Sequence, residues 1–243
     1  EKKYFDYDRV VQGLRLMLWG FIKKLVIADR LAIYSDAVYN NAHYHSGLTL
    51  LVATIFFGFQ IYCDFSGYSD IAIGAARVMG YKLMTNFRRP QLISASIQET
   101  WQRWHISLTT WFRDYLYFPL GGNKGSVLKT VRNVLIVFGL SGLWHGPNWT
   151  FVIWGLLNGT YITVERIINP FLRKIHKLLG FTAIYIRRLT VFLLITMTAI
   201  WFRSPSVSEG WYITKSILSF KTGGFFKGEP PTAFGYSIFA VLL

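Results

Sequence analysis

Long stretches of apolar residues without charge dominate the pattern along this chain. Ser46 to Cys63 and Asn133 to Val164 contain no Asp, Glu, Lys or Arg, and Leu189 to Phe202 is a shorter apolar run. A helix needs about 20 consecutive apolar residues to cross a bilayer. The pattern therefore predicts membrane-spanning helices. Val10 to Ala28, which carries three basic residues, is a weaker candidate for a tilted or interfacial helix.

Composition supports the same fold class. Hydrophobic residues make up 52% of the chain, charged residues 16%, and the mean hydropathy is +0.33; soluble domains carry about 25% charged residues. We predict an all-α, polytopic membrane bundle that forms one domain over residues 1–243. Because the sequence starts at Glu1 and stops inside the apolar run Phe239 to Leu243, we expect a fragment truncated at both ends.

The charge distribution favours a membrane over nucleic acid. The chain has a net charge of +14 and one cysteine, Cys63, which excludes an internal disulfide. Lys and Arg concentrate in segments 82–103, 113–132 and 166–188, between the apolar runs. This is the pattern of cytoplasmic loops in membrane proteins. We expect a multi-pass protein of the bacterial inner membrane, with the lipid bilayer as its surroundings and no nucleic-acid partner.

Two polar interruptions lie inside the apolar runs. In "CDFSGYSDIAIGAARVMG", Ser66 and Gly67 predict a break in the helix, with Asp64 and Asp70 on either side of it. The carboxylates either satisfy local backbone groups, pair with Arg77, or belong to a functional site. Broken helices are tolerated at membrane depth only where the freed backbone faces protein or a water-filled cavity.

The second interruption is "SGLWHGPNW", in which His145 precedes Gly146 and Pro147. If the basic segments on both sides are cytoplasmic, the run Asn133 to Val164 crosses the membrane an even number of times. Two full crossings need about 40 residues, so we predict a re-entrant or short hairpin bent at Gly146–Pro147. This hairpin carries His145 into the protein interior.

A second histidine lies in "ETWQRWHISLTTWFRDYLYFPLGG". We predict one helix here, ended by Pro119, with an amphipathic portion around Trp101–Tyr115 and His105 on its aromatic face. A lone histidine on such a face is either a hydrogen-bonded core residue or a catalytic group. A buried neutral imidazole suits general-base chemistry.

Other polar motifs give weaker evidence of a functional site. His43 and His45 have the spacing of metal ligands but no further ligand nearby, so we expect a solvated loop and no metal site. "GGNKG" lacks the Ser or Thr of a phosphate-binding loop, and no G-x-S-x-G nucleophile motif is present. Two rival hypotheses stay open: a transporter with a proton relay through His145, Asp64 and Asp70, and a structural membrane scaffold.

Three motifs together resemble the membrane-bound O-acyltransferase (MBOAT) family, and within it the bacterial alginate O-acetyltransferase branch. They are "QIYCDFSGYSDIAIG", "RWHISLTTWFRDYLYFPLGGN" and "GLSGLWHGPNWTFVIWGLLNG". "GLRLMLWGFIKKLVIADRLA" also looks like this branch. The related D-alanine export protein of teichoic acid shares the two histidine motifs.

The resemblance implies that His145 is the active-site residue and His105 its catalytic partner. It also implies an acyl group, acetyl in this branch, moving from a cytoplasmic thioester donor, acetyl-CoA or an acyl carrier protein, toward an exopolysaccharide such as alginate. No bound cofactor is expected, and extracytoplasmic acetyltransferases are the expected partners. The motifs supply further candidate substrate-binding residues: Asp64, Asp70, Trp104, Arg113, Asp114, Asn123, Trp144 and Asn148.

Overall fold

The computed structural model describes residues 4–88 and 93–219, and within these ranges the chain forms helices and turns but no strand. The predicted all-α class is confirmed. The described residues divide into two compact units, one of residues 4–87 and 213–219 and the other of residues 88 and 93–212. Whether the whole chain is a single domain stays a prediction.

The first unit is built on three helices, α1 (Tyr7–Phe21), α2 (Asp29–Tyr39) and α3 (Gly47–Val78). A π-helical segment, Ile22–Ala28, joins α1 to α2, and a short 3-10 turn, Ala42–Tyr44, precedes α3. Side chains cap two of these helices: the Asp6 carboxylate accepts from Arg9 N, and the Ser46 hydroxyl accepts from Thr49 N. Such caps satisfy backbone N–H groups that have no partner within the helix.

Glycines set the contact between α1 and α3. A Cβ added to Gly67 would lie 2.7 Å from Gly20 O, and one added to Gly74 would lie 2.6 Å from Gly13 O. Small residues at such positions let membrane helices approach closely. The predicted break at Ser66–Gly67 is therefore wrong: α3 is continuous, and Gly67 serves packing between helices.

The two acidic residues of α3 lie in ion pairs. Lys23 Nζ is 2.5 Å from a carboxylate oxygen of Asp70, and Lys24 Nζ is 2.5 Å from one of Asp64. Both lysines belong to the π-helical segment that follows α1. The pairing suggested with Arg77 is not the one observed, because the close approach of α1 to α3 brings these lysines to the carboxylates.

The second unit contains α4 (Ile97–Arg103), α5 (Ile106–Phe112), α6 (Val127–His145), α7 (Trp149–Leu179) and α8 (Thr182–Arg203). A π-helical segment, Arg113–Tyr117, extends α5, and α9 (Val207–Leu218) begins in this unit. The hydroxyls of Ser96 and Ser126 cap α4 and α6 by accepting from Glu99 N and Lys129 N.

The predicted bend at Gly146–Pro147 is confirmed. α6 ends at His145, and α7 begins at Trp149 with the Asn148 carboxamide oxygen accepting from Thr150 N at 3.1 Å. A Cβ on Gly142 would overlap the carbonyl oxygen of Phe151, so the two helices pack backbone to backbone below the bend. Both helices extend beyond the uncharged run that predicted them, so their lengths exceed the prediction.

Three helices of the described ranges are long and apolar enough to cross a membrane: α3, α6 and α8. α3 contains the predicted run Ser46 to Cys63 apart from Ser46, which caps the helix, and α8 contains Leu189 to Phe202. The end of α6 and the start of α7 form the run Asn133 to Val164. The weaker candidate, Val10 to Ala28, coincides with most of α1 and the π-helical segment after it.

Candidate active site

His105 lies at a break between two helices. The predicted single helix is wrong at this point: α4 ends at Arg103, Trp104 is extended, and α5 starts at Ile106. His105 has φ 45° and ψ 54° and is the one non-glycine residue with positive φ among those described. Left-handed backbone is costly for a residue with a Cβ and persists only where its surroundings enforce it, often at functional sites.

Hydrogen bonds hold the backbone on both sides of this break. At the start of α4, the Glu165 carboxylate accepts from Ile97 N and Gln98 N, each at 3.1 Å. Beyond the break, Thr109 Oγ1 donates to Trp104 O at 3.1 Å, and Thr109 N donates to His105 O at 2.9 Å. These bonds fix the backbone on both sides of the imidazole.

His145 lies at the end of α6 inside a group of aromatic rings. Its ring centroid is 5.0 Å from that of Phe202, 5.1 Å from that of Trp154 and 6.3 Å from that of Phe151. The first two contacts are edge-to-face, the arrangement that aromatic quadrupoles favour. The imidazole is therefore held by apolar rings contributed by α7 and α8.

The structure brings the two histidines together. Their spacing in the sequence does not establish that they are close in space. Both line one cavity of about 450 Å³ within the second unit. Trp144 contacts both imidazoles, with ring centroids 6.3 Å from His105 and 5.0 Å from His145. Two imidazoles in one largely apolar cavity are suited to proton transfer at a bound acyl group.

The local environment of His105 favours its neutral form. Burial lowers the pKa of this imidazole below its ordinary value of 6.5, because removing a cation from water disfavours the protonated state. The Ser107 hydroxyl lies 3.3 Å from His105 Nδ1. This contact gives the serine a means of fixing the ring tautomer, a role that the sequence pattern did not reveal.

A family model for the membrane-bound O-acyltransferase family matches residues 4–204, which include both histidines and most of the described chain. The chain belongs to the MBOAT family.

Curated relatives place this MBOAT chain among proteins named for the modification of bacterial polymers. It is 41% identical over 215 residues to the probable alginate O-acetylase AlgI of Azotobacter vinelandii, covering 88% of this chain and 41% of the relative. It is 36% identical over 220 residues to the peptidoglycan O-acetyltransferase of Helicobacter pylori, covering 89% and 40%.

A more distant relative carries a different acyl group in its name. The teichoic acid D-alanyltransferase of Bacillus subtilis is 29% identical over 174 residues, covering 69% of this chain and 44% of the relative. The chain thus spans about two fifths of the length of the curated relatives that it matches.

The other sequence-predicted residues of the MBOAT chain are distributed unevenly. Trp104 and Arg113 line the cavity with the histidines, and Arg113 pairs with Asp114, Nε to Oδ1, at 2.8 Å. Trp144 lies beside the cavity with 59% of its surface exposed. For these residues a role in substrate binding stays a prediction.

Four further motif residues have evident structural contacts or lie on the surface. Asn148 caps α7 and donates from Nδ2 to Pro205 O at 2.8 Å. Asn123 is exposed in the glycine-rich turn before α6. Asp64 and Asp70 belong to the first unit, in their ion pairs with lysine, and their predicted binding role is untested.

Sequence reasoning expected aromatic surroundings at the histidines but did not identify which rings enclose His145. Trp154 and Phe151 lie in the same uncharged run as the histidine, so its aromatic content gave a signal. Phe202 comes from the end of α8 and gave none. Within residues 4–88 and 93–219, no group of three or more His, Cys, Asp or Glu side chains is arranged to hold a metal ion.

Proposed function

We propose that this chain forms the catalytic part of a membrane-embedded acyltransferase that moves an acetyl group from a thioester donor toward hydroxyl groups of a cell-envelope polysaccharide. The observation that carries the proposal is the pair of histidines, His105 and His145, on one cavity of an MBOAT chain. The names of the alginate and peptidoglycan relatives support acetyl as the acyl group.

In the proposed reaction, His145 acts as general base on the acceptor hydroxyl. The hydroxyl oxygen attacks the thioester carbonyl carbon as its proton passes to the imidazole. The tetrahedral intermediate then collapses, the carbon–sulfur bond breaks, and the thiolate takes the proton from His145. The products are an oxygen ester and a free thiol, so atoms and charge balance.

His105 has the second role in this proposal. The Ser107 hydroxyl donates to Nδ1, which leaves the ring proton on Nε2, and Nε2–H donates to the thioester carbonyl oxygen. Hydrogen bonds of this kind matter most where negative charge develops in the transition state. A neutral His105, favoured by its lowered pKa, keeps this donor without adding a fixed charge.

In the same reaction scheme, the aromatic rings around His145 limit hydrolysis of the donor. Trp154, Phe151 and Phe202 surround the imidazole and limit the access of water. A general base activates water as readily as a sugar hydroxyl, so exclusion of water suppresses hydrolysis of the donor.

The wider setting is part of the proposal. The protein lies in the bacterial inner membrane as a multi-pass protein, takes its acyl group from acetyl-CoA or an acyl carrier protein, and delivers it to extracytoplasmic acetyltransferases that act on an exopolysaccharide such as alginate. D-alanyl transfer to an envelope polymer is the second candidate, favoured by the similarity to the teichoic acid D-alanyltransferase.

A proton-coupled transporter has less support than it had from the sequence. That hypothesis rested on a broken helix flanked by Asp64 and Asp70, whereas α3 is continuous and both carboxylates pair with lysines. Release of free thiol from an acyl thioester separates the two functions, because a transporter does not break the thioester bond.

The test uses the complete parent protein, expressed with its envelope partners. His145→Ala is expected to lower polysaccharide O-acetylation by about 10² to 10⁴, the usual effect of losing a general base. His43→Ala, an exposed histidine of the first unit, is the matched control at equal membrane levels. A loss below about tenfold in His145→Ala contradicts the proposed mechanism.

A further inference from the structure

The short helix α4 depends on a side chain from another helix. It has seven residues, whereas isolated helices of fewer than about 12 residues are marginal in water. The N–H groups of its first three residues have no acceptor within the helix. Ser96 Oγ accepts from one of them, Glu99 N, at 2.9 Å. The Glu165 carboxylate of α7 accepts from the other two, Ile97 N and Gln98 N, each at 3.1 Å.

The start of α4 is also held by α8. Arg187 Nε donates to Ala95 O at 2.9 Å, just before the helix begins. At the other end of α4, Arg103 O accepts from Arg88 N at 3.0 Å, and Arg88 lies in a segment without regular secondary structure. Hydrogen bonds from two long helices, α7 and α8, therefore meet at the start of α4.

The middle of α4 is held by aromatic contacts. Trp101 packs edge to face against Phe138 of α6 and Trp154 of α7, with ring centroids 5.0 Å and 5.7 Å away. In the sequence, Trp101 is the midpoint between Ile97, at the start of α4, and His105, beyond its end. A tilt of α4 about the Trp101 contacts would therefore move its start and the backbone of His105 by similar distances in opposite directions.

His105 is sensitive to such a tilt. Its imidazole lines the same cavity as His145, and a displacement of about 1 Å from the productive geometry can cost about 10²-fold in rate. The bonds that oppose the tilt are the two accepted by the Glu165 carboxylate. Because their acceptor is ionised, they are roughly twice as strong as bonds between neutral groups.

We propose that Glu165 is a positioning residue of the acyltransferase, which holds the start of α4 so that the His105 imidazole faces the reacting carbonyl group. This inference rests on the proposed reaction, in which His105 donates to the carbonyl oxygen. Glu165 does not act on the substrate itself; it acts through α4 and the backbone of His105. It lies outside the histidine motifs, six residues after Gly159, so the motifs give no indication of this role.

The first test measures thiol release by the complete protein in nanodiscs. Glu165→Gln keeps the size of the side chain but replaces one acceptor oxygen with an NH2 group, so one N–H at the start of α4 loses its acceptor. We expect kcat to fall by about 10- to 100-fold and KM to change less than about twofold, because the imidazole moves while substrate binding is kept. Asp8→Asn, the same chemical change at an exposed carboxylate in the first turn of α1, is the control and should keep the wild-type kcat. A wild-type kcat in Glu165→Gln, or a loss confined to KM, overturns the proposal.

A double-mutant cycle with His105→Ala separates positioning from a general loss of structure. If Glu165 acts through His105, Glu165→Gln should change kcat by less than about twofold once the imidazole is absent. A general loss of structure lowers kcat by the same factor with and without the imidazole, and that result overturns the proposal. If Glu165→Gln does not insert into the membrane, Arg187→Met replaces it in the cycle with the same expected result, because this change removes the donor to Ala95 O at the start of the same helix.

NMR of the imidazole rings separates this inference from the proposed function. Protein with isotope-labelled histidine is compared with and without Glu165→Gln, and the signals of His105 and His43 are assigned as those lost in the corresponding alanine variants. We expect Glu165→Gln to shift the His105 signals and to leave those of His43, in the first unit, unchanged. Shifted His105 signals in a protein that releases no thiol support the positioning role and contradict the acyltransferase proposal. Unshifted His105 signals overturn the positioning role, whatever the activity.

Discussion

Phe202 and His145 lie 57 positions apart in the sequence, yet their rings meet edge to face with centroids 5.0 Å apart and an interplanar angle of 75°. The contact joins the end of α8 to the end of α6 beside the proposed general base. An aromatic ring at this position fills space that water would otherwise occupy. Its chemical effect is therefore on the competition between transfer and hydrolysis.

Phe202→Ala tests this role. Removal of the ring opens a space beside His145, so we expect the fraction of donor lost to hydrolysis to rise and acyl transfer to fall by about tenfold, as for a change of about 1.4 kcal/mol in the barrier. Thiol release and product ester are measured in the same reaction. Phe181→Ala, at a residue 81% exposed before α8, is the control. If the amount of ester formed per thiol released is the same in the wild type and in both variants, the proposed role of Phe202 is wrong.

Ser107 provides a test of the tautomer proposed for His105. Ser107→Ala removes the donor 3.3 Å from Nδ1, so the ring proton is no longer held on Nε2. We expect kcat to fall about two- to tenfold, the effect of one neutral hydrogen bond, with KM unchanged. Thr110→Ala on the same helix is the control, because Thr110 does not line the cavity. Full activity in Ser107→Ala, or failure of Ser107→Thr to restore it, contradicts the assignment.

The pH dependence of stability tests the burial of His105. Its folded pKa is lowered by desolvation, so below pH 6.5 the unfolded chain binds more protons at this site than the folded chain does. The contribution of this group to the free energy of unfolding is therefore fully present above pH 6.5 and is lost progressively as the pH falls below that value.

The measurement is the unfolding midpoint in detergent from pH 7.5 to 5. We expect wild-type stability to fall toward pH 5 more steeply than that of His105→Asn, a replacement that tolerates left-handed backbone. His45, whose pKa burial also lowers, is present in both proteins and cancels in the comparison. Identical slopes for the two proteins would show that His105 is not desolvated.

The features of the fold that could be predicted have local causes, and those that could not be predicted depend on residues far away in the sequence. The apolar runs and the Gly146–Pro147 bend were predictable because helix length and chain breaking are local properties. Gly67 was misinterpreted as a helix breaker, since its role depends on Gly20 in another helix. The left-handed backbone of His105 was also beyond prediction, because the Glu165 carboxylate that anchors the start of α4 lies 60 residues downstream along the chain.

The hairpin that carries His145 provides the last prediction. A Cβ on Gly142 would overlap the Phe151 carbonyl oxygen. Because the group that it meets is backbone, no flexible side chain can move aside. Gly142→Ala is therefore expected to separate α6 from α7 near the bend, at a cost of about 1–3 kcal/mol of stability. The same shift displaces His145, one turn along α6, so activity should fall more than stability alone explains.

Gly58→Ala is the matched control, because a Cβ there meets no atom within 4 Å and Gly58 lies inside the long helix α3. Alanine in place of glycine favours a helix by about 1 kcal/mol, so this variant should be at least as stable as the wild type. Unfolding midpoints and thiol release are measured for both variants in the same detergent. A Gly142→Ala protein with wild-type midpoint and activity would show that α6 and α7 do not pack through this glycine.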